Sequence, residues 1–124
     1  MNPKKSLSQN FLTDKNICKK IISKTNIRNK VVIEIGPGRG SLTEIIVSKK
    51  PKKLYLIEKD DILSEELRNK YKNNSKICIY NQDILDFNFS KLKDINVISN
   101  LPYNISSKFL LKIIVKFTYI IKIY

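Results

Sequence analysis

Apolar residues arrive along this chain in short β-branched runs, separated by stretches in which they recur every three or four positions. The runs are "KVVIEI" (30–35), "KLYLIE" (53–58), "KICIYNQD" (76–83) and "INVIS" (95–99). Apolar without regular alternation, they suit strands buried on both faces of a parallel sheet. Between them, "SLTEIIVSK" (41–49) and "DDILSEELRNKYK" (60–72) carry helical spacing. The first stops ahead of Pro51, because the residue before a proline is pushed out of helical geometry. The second has acids in its first turn, where the helix dipole favours them. Upstream, Thr13 or Asp14 can cap a helix running to about Lys24, with Ile17, Ile21 and Ile22 on one face. Residues 1–12 read as an irregular polar arm, and "SSKFLLKIIVKF" (106–117) as the helix after the fourth strand. Strand alternating with helix on short connections means βαβ units, right-handed crossovers and an α/β fold. No internal repeat or low-complexity linker interrupts the pattern.

At 124 residues the chain is one domain's worth, and 42% hydrophobic content fits a globular core. No apolar run approaches bilayer-spanning length, and the arm "MNPKKSLSQNFLTDK" lacks the apolar segment of a secretory signal. Cys18 and Cys78 have no metal-ligand spacing and make no disulfide framework, so a cytoplasmic protein is expected, with no membrane partner. The net charge of +13 points to an anionic partner, nucleic acid above all. Coding biased toward A and T would also enrich lysine, and 21 of the 24 basic residues are Lys. Distribution argues against bias alone. Residues 1–30 carry net +7, residues 31–100 only +2, and residues 101–124 four lysines and no acid.

The polar residues at the strand ends fall into one group. Gly36, Pro37, Gly38 and Gly40 follow the first strand, Glu58 ends the second, Asp83 follows the third and Asn100 the fourth. In an open α/β sheet that edge is where ligands bind. Glycines there let a backbone approach a ligand closely. Their spacing, G-x-G-x-G, is neither the dinucleotide fingerprint nor a Walker loop, which disfavours a phosphate ligand. Glu58, about 20 residues on, is placed to accept both hydroxyls of a ribose; a surface carboxylate beside Lys59 is the competing reading. Asp83 suits an adenine amino group, or simply caps its loop. The ligand implied is an adenosine without a pyrophosphate.

"SNLPYN", Ser99 to Asn104, puts an amide, a rigid proline and an aromatic ring where the fourth strand ends. With "LSQNFL", "VIEIGPGRGSLT", "LIEKD", "NQDILDF" and "NLPYNIS" together, nearly the whole chain resembles the ribosomal RNA small-subunit adenine dimethyltransferases. "QNFL" with "NLPY" is the specific part. The macrolide-resistance enzymes, which methylate large-subunit RNA, share much of the pattern. The resemblance implies a Rossmann-like methyltransferase fold with S-adenosylmethionine against Asn10, Leu12, Gly36, Gly38, Glu58, Asp83 and Asn100. It also implies dimethylation of two adjacent adenines near the 3′ end of small-subunit RNA, in ribosome biogenesis, by a monomeric full-length enzyme. Asn100 and the carbonyl of Leu101 would then accept the two hydrogens of the adenine amino group. Pro102 stiffens that carbonyl, and Tyr103 offers a face for the flipped base.

The family's sheet has seven strands followed by a helical RNA-binding domain. Against that pattern, residues 1–124 are expected to form the cofactor-binding part, with the later strands and helical domain absent. A sheet cut after the fourth strand and its helix is expected to leave "INVIS" with an unpaired edge. A non-catalytic remnant that binds only cofactor or RNA is the alternative.

Overall fold

The computed structural model describes residues 20, 22–92, 94–99 and 122–123. Four parallel strands make the body of the sheet: β1 (Val31–Ile35), β2 (Lys53–Ile57), β3 (Ile77–Tyr80) and β4 (Ile95–Ser99). Each lies inside the apolar run that announced it. Helix α1 (Ser41–Ser48) links β1 to β2, and α2 (Asp61–Tyr71) links β2 to β3. A turn of 3-10 helix, Ile84–Asp86, follows β3. Lys20, Ile22 and Ser23 are helical, at the end of the helix expected before β1; its start lies outside the described residues. So do the arm and the helix read at 106–117.

The strand order is β3-β2-β1-β4-β5, where β5 is Lys122–Ile123. It runs parallel to β4, pairing Asn96 with Lys122 and Val97 with Ile123. The edge of "INVIS" is therefore not bare, as the sequence suggested, but paired at two positions. Exposed strand backbone recruits further chain, and Lys122–Ile123 supply it here.

Successive strand residues point to opposite faces, and the core divides accordingly. On one face Val32, Leu54, Leu56 and Ile98 pack with Leu42 and Ile46 of α1 and Leu67 of α2. On the other, Ile33, Ile35, Ile57, Ile95 and Val97 pack with Ile84, Phe87 and Phe89 from the segment after β3. Burial on both faces is why these strands carry no polar alternation. Two polar residues break the rule inside strands, Glu34 and Asn96, at 2% and 4% exposure. Asn96 donates from Nδ2 to the carbonyl oxygen of Val31 at 3.2 Å, a side-chain tie across the β1–β4 pair.

Candidate functional site at the carboxyl edge of the sheet

Ladder register brings the strand ends level: Ile35 pairs with Ile57 and Ser99, and Ile57 with Tyr80. The loops after β1, β2 and β3 therefore leave the sheet side by side. The first is "GPGRG". Its Gly38 has φ +60°, left-handed backbone, and a Cβ built there meets nothing within 4 Å. The constraint at Gly38 is one of backbone conformation, and the space above it is open. Gly40 differs. At φ +87° its added Cβ would lie 3.4 Å from Cδ2 of Leu67, so it serves the packing of α1 against α2. Gly36 extends the ladder, donating its N–H to the carbonyl of Ile57 at 2.9 Å.

Glu58 is the centre of the arrangement. It is 6% exposed, which excludes the surface-carboxylate reading. Oε1 accepts from the N–H of Gly38 at 2.9 Å. Oε2 accepts from the N–H of Asp60, also at 2.9 Å. Its own N–H donates to the carbonyl of Tyr80 at 2.9 Å. One carboxylate thus fastens the glycine loop to the start of α2. A carboxylate offers about four lone-pair sites, so two backbone bonds leave capacity for hydroxyl donors.

The neighbouring loops are tied in the same way. Asp60 caps α2, its Oδ1 accepting from the N–H of Leu63 at 2.9 Å. Asn81 donates to Oδ1 of Asp61 at 2.9 Å. Asp83 accepts from the N–H of Leu85 at 2.9 Å, the capping role that its position allowed. Gly36, Gly38, Glu58 and Asp83 are thus gathered on one edge. Asn10, Leu12, Asn100, Leu101, Pro102 and Tyr103 lie outside the described residues.

Sequence reasoning passed over Glu34. It sits in β1, two residues before Gly36, and accepts a hydrogen bond from the Thr43 hydroxyl in the first turn of α1. The strand and the helix flanking the glycine loop are pinned together by that bond. An acid inside "VVIEI" was the available signal. Nearby, burial raises the pKa of the Tyr71 hydroxyl, with the carboxylates of Glu44 and Glu34 adding to the effect and the Lys70 ammonium opposing it. Lys70 is itself raised, chiefly by its hydrogen bond to Glu44 at 2.6 Å.

The groups present fit an adenosine-bearing ligand: an open left-handed glycine for close approach, and a preset carboxylate acceptor beside it. Among the described residues, no group of His, Cys, Asp or Glu is placed to hold a metal, and no helix is long and apolar enough to cross a membrane.

Comparison with known proteins adds to the geometry. The family model described as "Ribosomal RNA adenine dimethylase" matches residues 1–123. The "Ribosomal RNA small subunit methyltransferase A" of Pelagibacter ubique (strain HTCC1062) is 52% identical over 111 residues, covering 88% of this chain and 42% of that one. The chain spans less than half the length of the curated relatives it matches. Among solved structures, a dimethyladenosine transferase from Plasmodium falciparum superposes with a TM-score of 0.69 at 29% identity, over 84% of this chain and 38% of that one. The 23S rRNA methyltransferase ErmE gives 0.66 at 24%, over 78% and 39%, a likeness of fold.

Proposed function

The chain belongs to the ribosomal RNA adenine dimethylase family, whose enzymes use S-adenosylmethionine, and on that premise we propose that it serves dimethylation of two adjacent adenines in small-subunit ribosomal RNA. The observation that carries the reading is the buried Glu58 carboxylate fastened to the N–H of Gly38. Bound at this edge, S-adenosylmethionine supplies an electrophilic methyl group.

The chain's own residues do the rest. Glu58 is positioned before ligand arrives, so accepting ribose hydroxyls costs it little reorganisation. Gly38 leaves room for close approach, and Asp83, held by Leu85, faces the adenine amino group. Asn10 and Leu12 of the arm complete the cofactor's surroundings by the family pattern.

At the target base, the exocyclic nitrogen is a poor nucleophile because its lone pair is delocalised into the ring. Asn100 and the carbonyl of Leu101 accept its two hydrogens and favour a pyramidal nitrogen, while Pro102 fixes that carbonyl and Tyr103 stacks on the flipped base. No strong general base is needed: the N–CH3 bond would form as the S–CH3 bond breaks, a neutral thioether would leave, and the cationic nitrogen so formed would be acidic enough to lose its proton to water. On this reading the full-length enzyme acts as a monomer in the cytoplasm, on assembling small subunits.

The test incubates the chain with isotopically labelled S-adenosylmethionine and undermethylated small subunits, then maps the label by mass analysis of RNA fragments. Dimethyladenosine at two adjacent positions near the 3′ end is expected. Label in large-subunit RNA overturns the choice of substrate. Cofactor binding with no label in any RNA favours a binding remnant instead.

A further inference from the structure

The opposite edge of the sheet has a character of its own. The loops that enter β1, β2 and β3, residues 24–30, 49–53 and 72–76, contain nine lysines and arginines and no acid. They form one continuous rim. The N–H of Asn29 donates to the carbonyl of Lys50 at 3.0 Å, that of Lys52 to Lys30 at 2.9 Å, and that of Leu54 to Lys76 at 2.8 Å. Lys49 and Lys53 are used inside the rim, donating to carbonyls of Thr25 at 3.1 Å and Ser75 at 3.2 Å. The ion pairs Arg68–Glu65 and Lys70–Glu44 both lie outside it. The acids Glu58, Asp60, Asp61 and Asp83 stand at the other edge with Arg39 and Lys59, and one acid, Asp94, enters β4 beside the rim, where Ile95 pairs with Val31. Lysine-rich coding sets how many lysines there are. It does not by itself leave three adjoining loops without an acid.

The rim is also shaped. Two clefts of about 380 Å³ each open on it, one lined in part by Lys24, Arg28 and Lys50, the other by Lys50 and Lys76. Lys50 belongs to both. It adopts left-handed backbone, φ 56°, just past the end of α1, where glycine is the residue that fits without cost.

We propose that this amino-terminal edge is a second nucleic-acid contact surface, which grips the phosphate backbone of duplex RNA without reading its sequence. The chemistry selects that partner over others. The apolar residues in and beside the rim, Ile27, Pro51 and Ile77, are buried, so it offers no anchor for a membrane. It has no aromatic side chain on which single-stranded bases could stack. Lysines bordering shallow clefts suit phosphates displayed by an A-form helix. The partner class rests on the RNA substrate of the reading above; the surface itself does not depend on cofactor binding.

The experiment measures binding of the full chain to a mixed-sequence RNA duplex by fluorescence anisotropy across a series of salt concentrations. Lys50→Gln with Lys76→Gln is compared with Arg68→Gln with Lys70→Gln, which removes the same charge from residues already paired with acids. The rim variant should lower the salt-dependence slope by about 1.5 to 2, and the comparison variant by far less. Lys50→Arg with Lys76→Arg should keep the slope, and S-adenosylmethionine affinity should be unchanged in all of them, showing an intact fold. Equal losses in both pairs, no duplex binding by the parent chain, or tighter binding to anionic phospholipid vesicles or single strands would overturn the proposal. A rim effect in a chain that binds no cofactor sinks the methyltransferase reading and leaves the surface standing.

Discussion

Replacing Glu58 by alanine separates the loop-fastening that its hydrogen bonds show from the ribose contact proposed for the same side chain. The substitution removes a buried acceptor from the N–H groups of Gly38 and Asp60, each 2.9 Å from a carboxylate oxygen. Hydrogen bonds to a charged group contribute about 1.5–3 kcal/mol each. The lower end applies here, because at a strand edge water can reach the two amides once the side chain is gone. Folding stability should fall by about 3 kcal/mol, read as a lower urea midpoint at unchanged slope. Cofactor affinity should weaken by about 1–3 kcal/mol, or about 5- to 150-fold, for loss of an acceptor to two hydroxyls. Calorimetry with S-adenosylmethionine and with its 2′,3′-dideoxy analogue completes a cycle that isolates the ribose contact. The variant should lose affinity for the parent ligand and little for the analogue. Equal losses for both would mean that Glu58 acts only by ordering the loop. Unchanged affinity for the parent ligand would remove the ribose role altogether.

Further substitutions probe the surrounding parts. Gly38→Ala should cost about 1–2 kcal/mol in stability from its left-handed backbone, and Gly40→Ala, also left-handed and meeting Leu67 only at contact distance, should cost about as much; urea unfolding of the two compares them. Thr43→Val takes a donor from the buried Glu34 and should lower stability by about 1.5–3 kcal/mol in the same assay. The Tyr71 hydroxyl has its pKa raised above 10.0 by burial, so the folded state favours the neutral phenol. That contribution is full below pH 10.0, is lost as pH rises through the folded value, and should shrink in Tyr71→Phe when thermal midpoints are followed above that pH.

Much of this fold is legible because parallel strands buried on both faces must be apolar throughout, so "VVIEI", "KLYLI" and "INVIS" mark themselves. The glycine loop is legible for a similar reason, since left-handed backbone at Gly36, Gly38 and Gly40 admits few other residues. What Glu58 holds is not legible. Its partner on the glycine loop is a backbone N–H twenty positions away, and every non-proline residue carries such a donor, so no residue type advertises the contact. Glu34 was hidden by its setting, an acid in a strand that reads as core until Thr43 of the next helix is seen against it. The β4–β5 pair depends on where a distant tail comes to lie, which no local pattern records.

If the carboxyl edge of this sheet holds an adenosine with Glu58 on its ribose, a crystal structure of the chain with S-adenosylhomocysteine will show it. The ribose hydroxyls should lie within hydrogen-bond distance of Glu58, the nucleoside should pass over Gly38, and the adenine amino group should sit beside Asp83. A nucleoside seated elsewhere, or one whose ribose leaves Glu58 bound only to the N–H groups of Gly38 and Asp60, would contradict that placement.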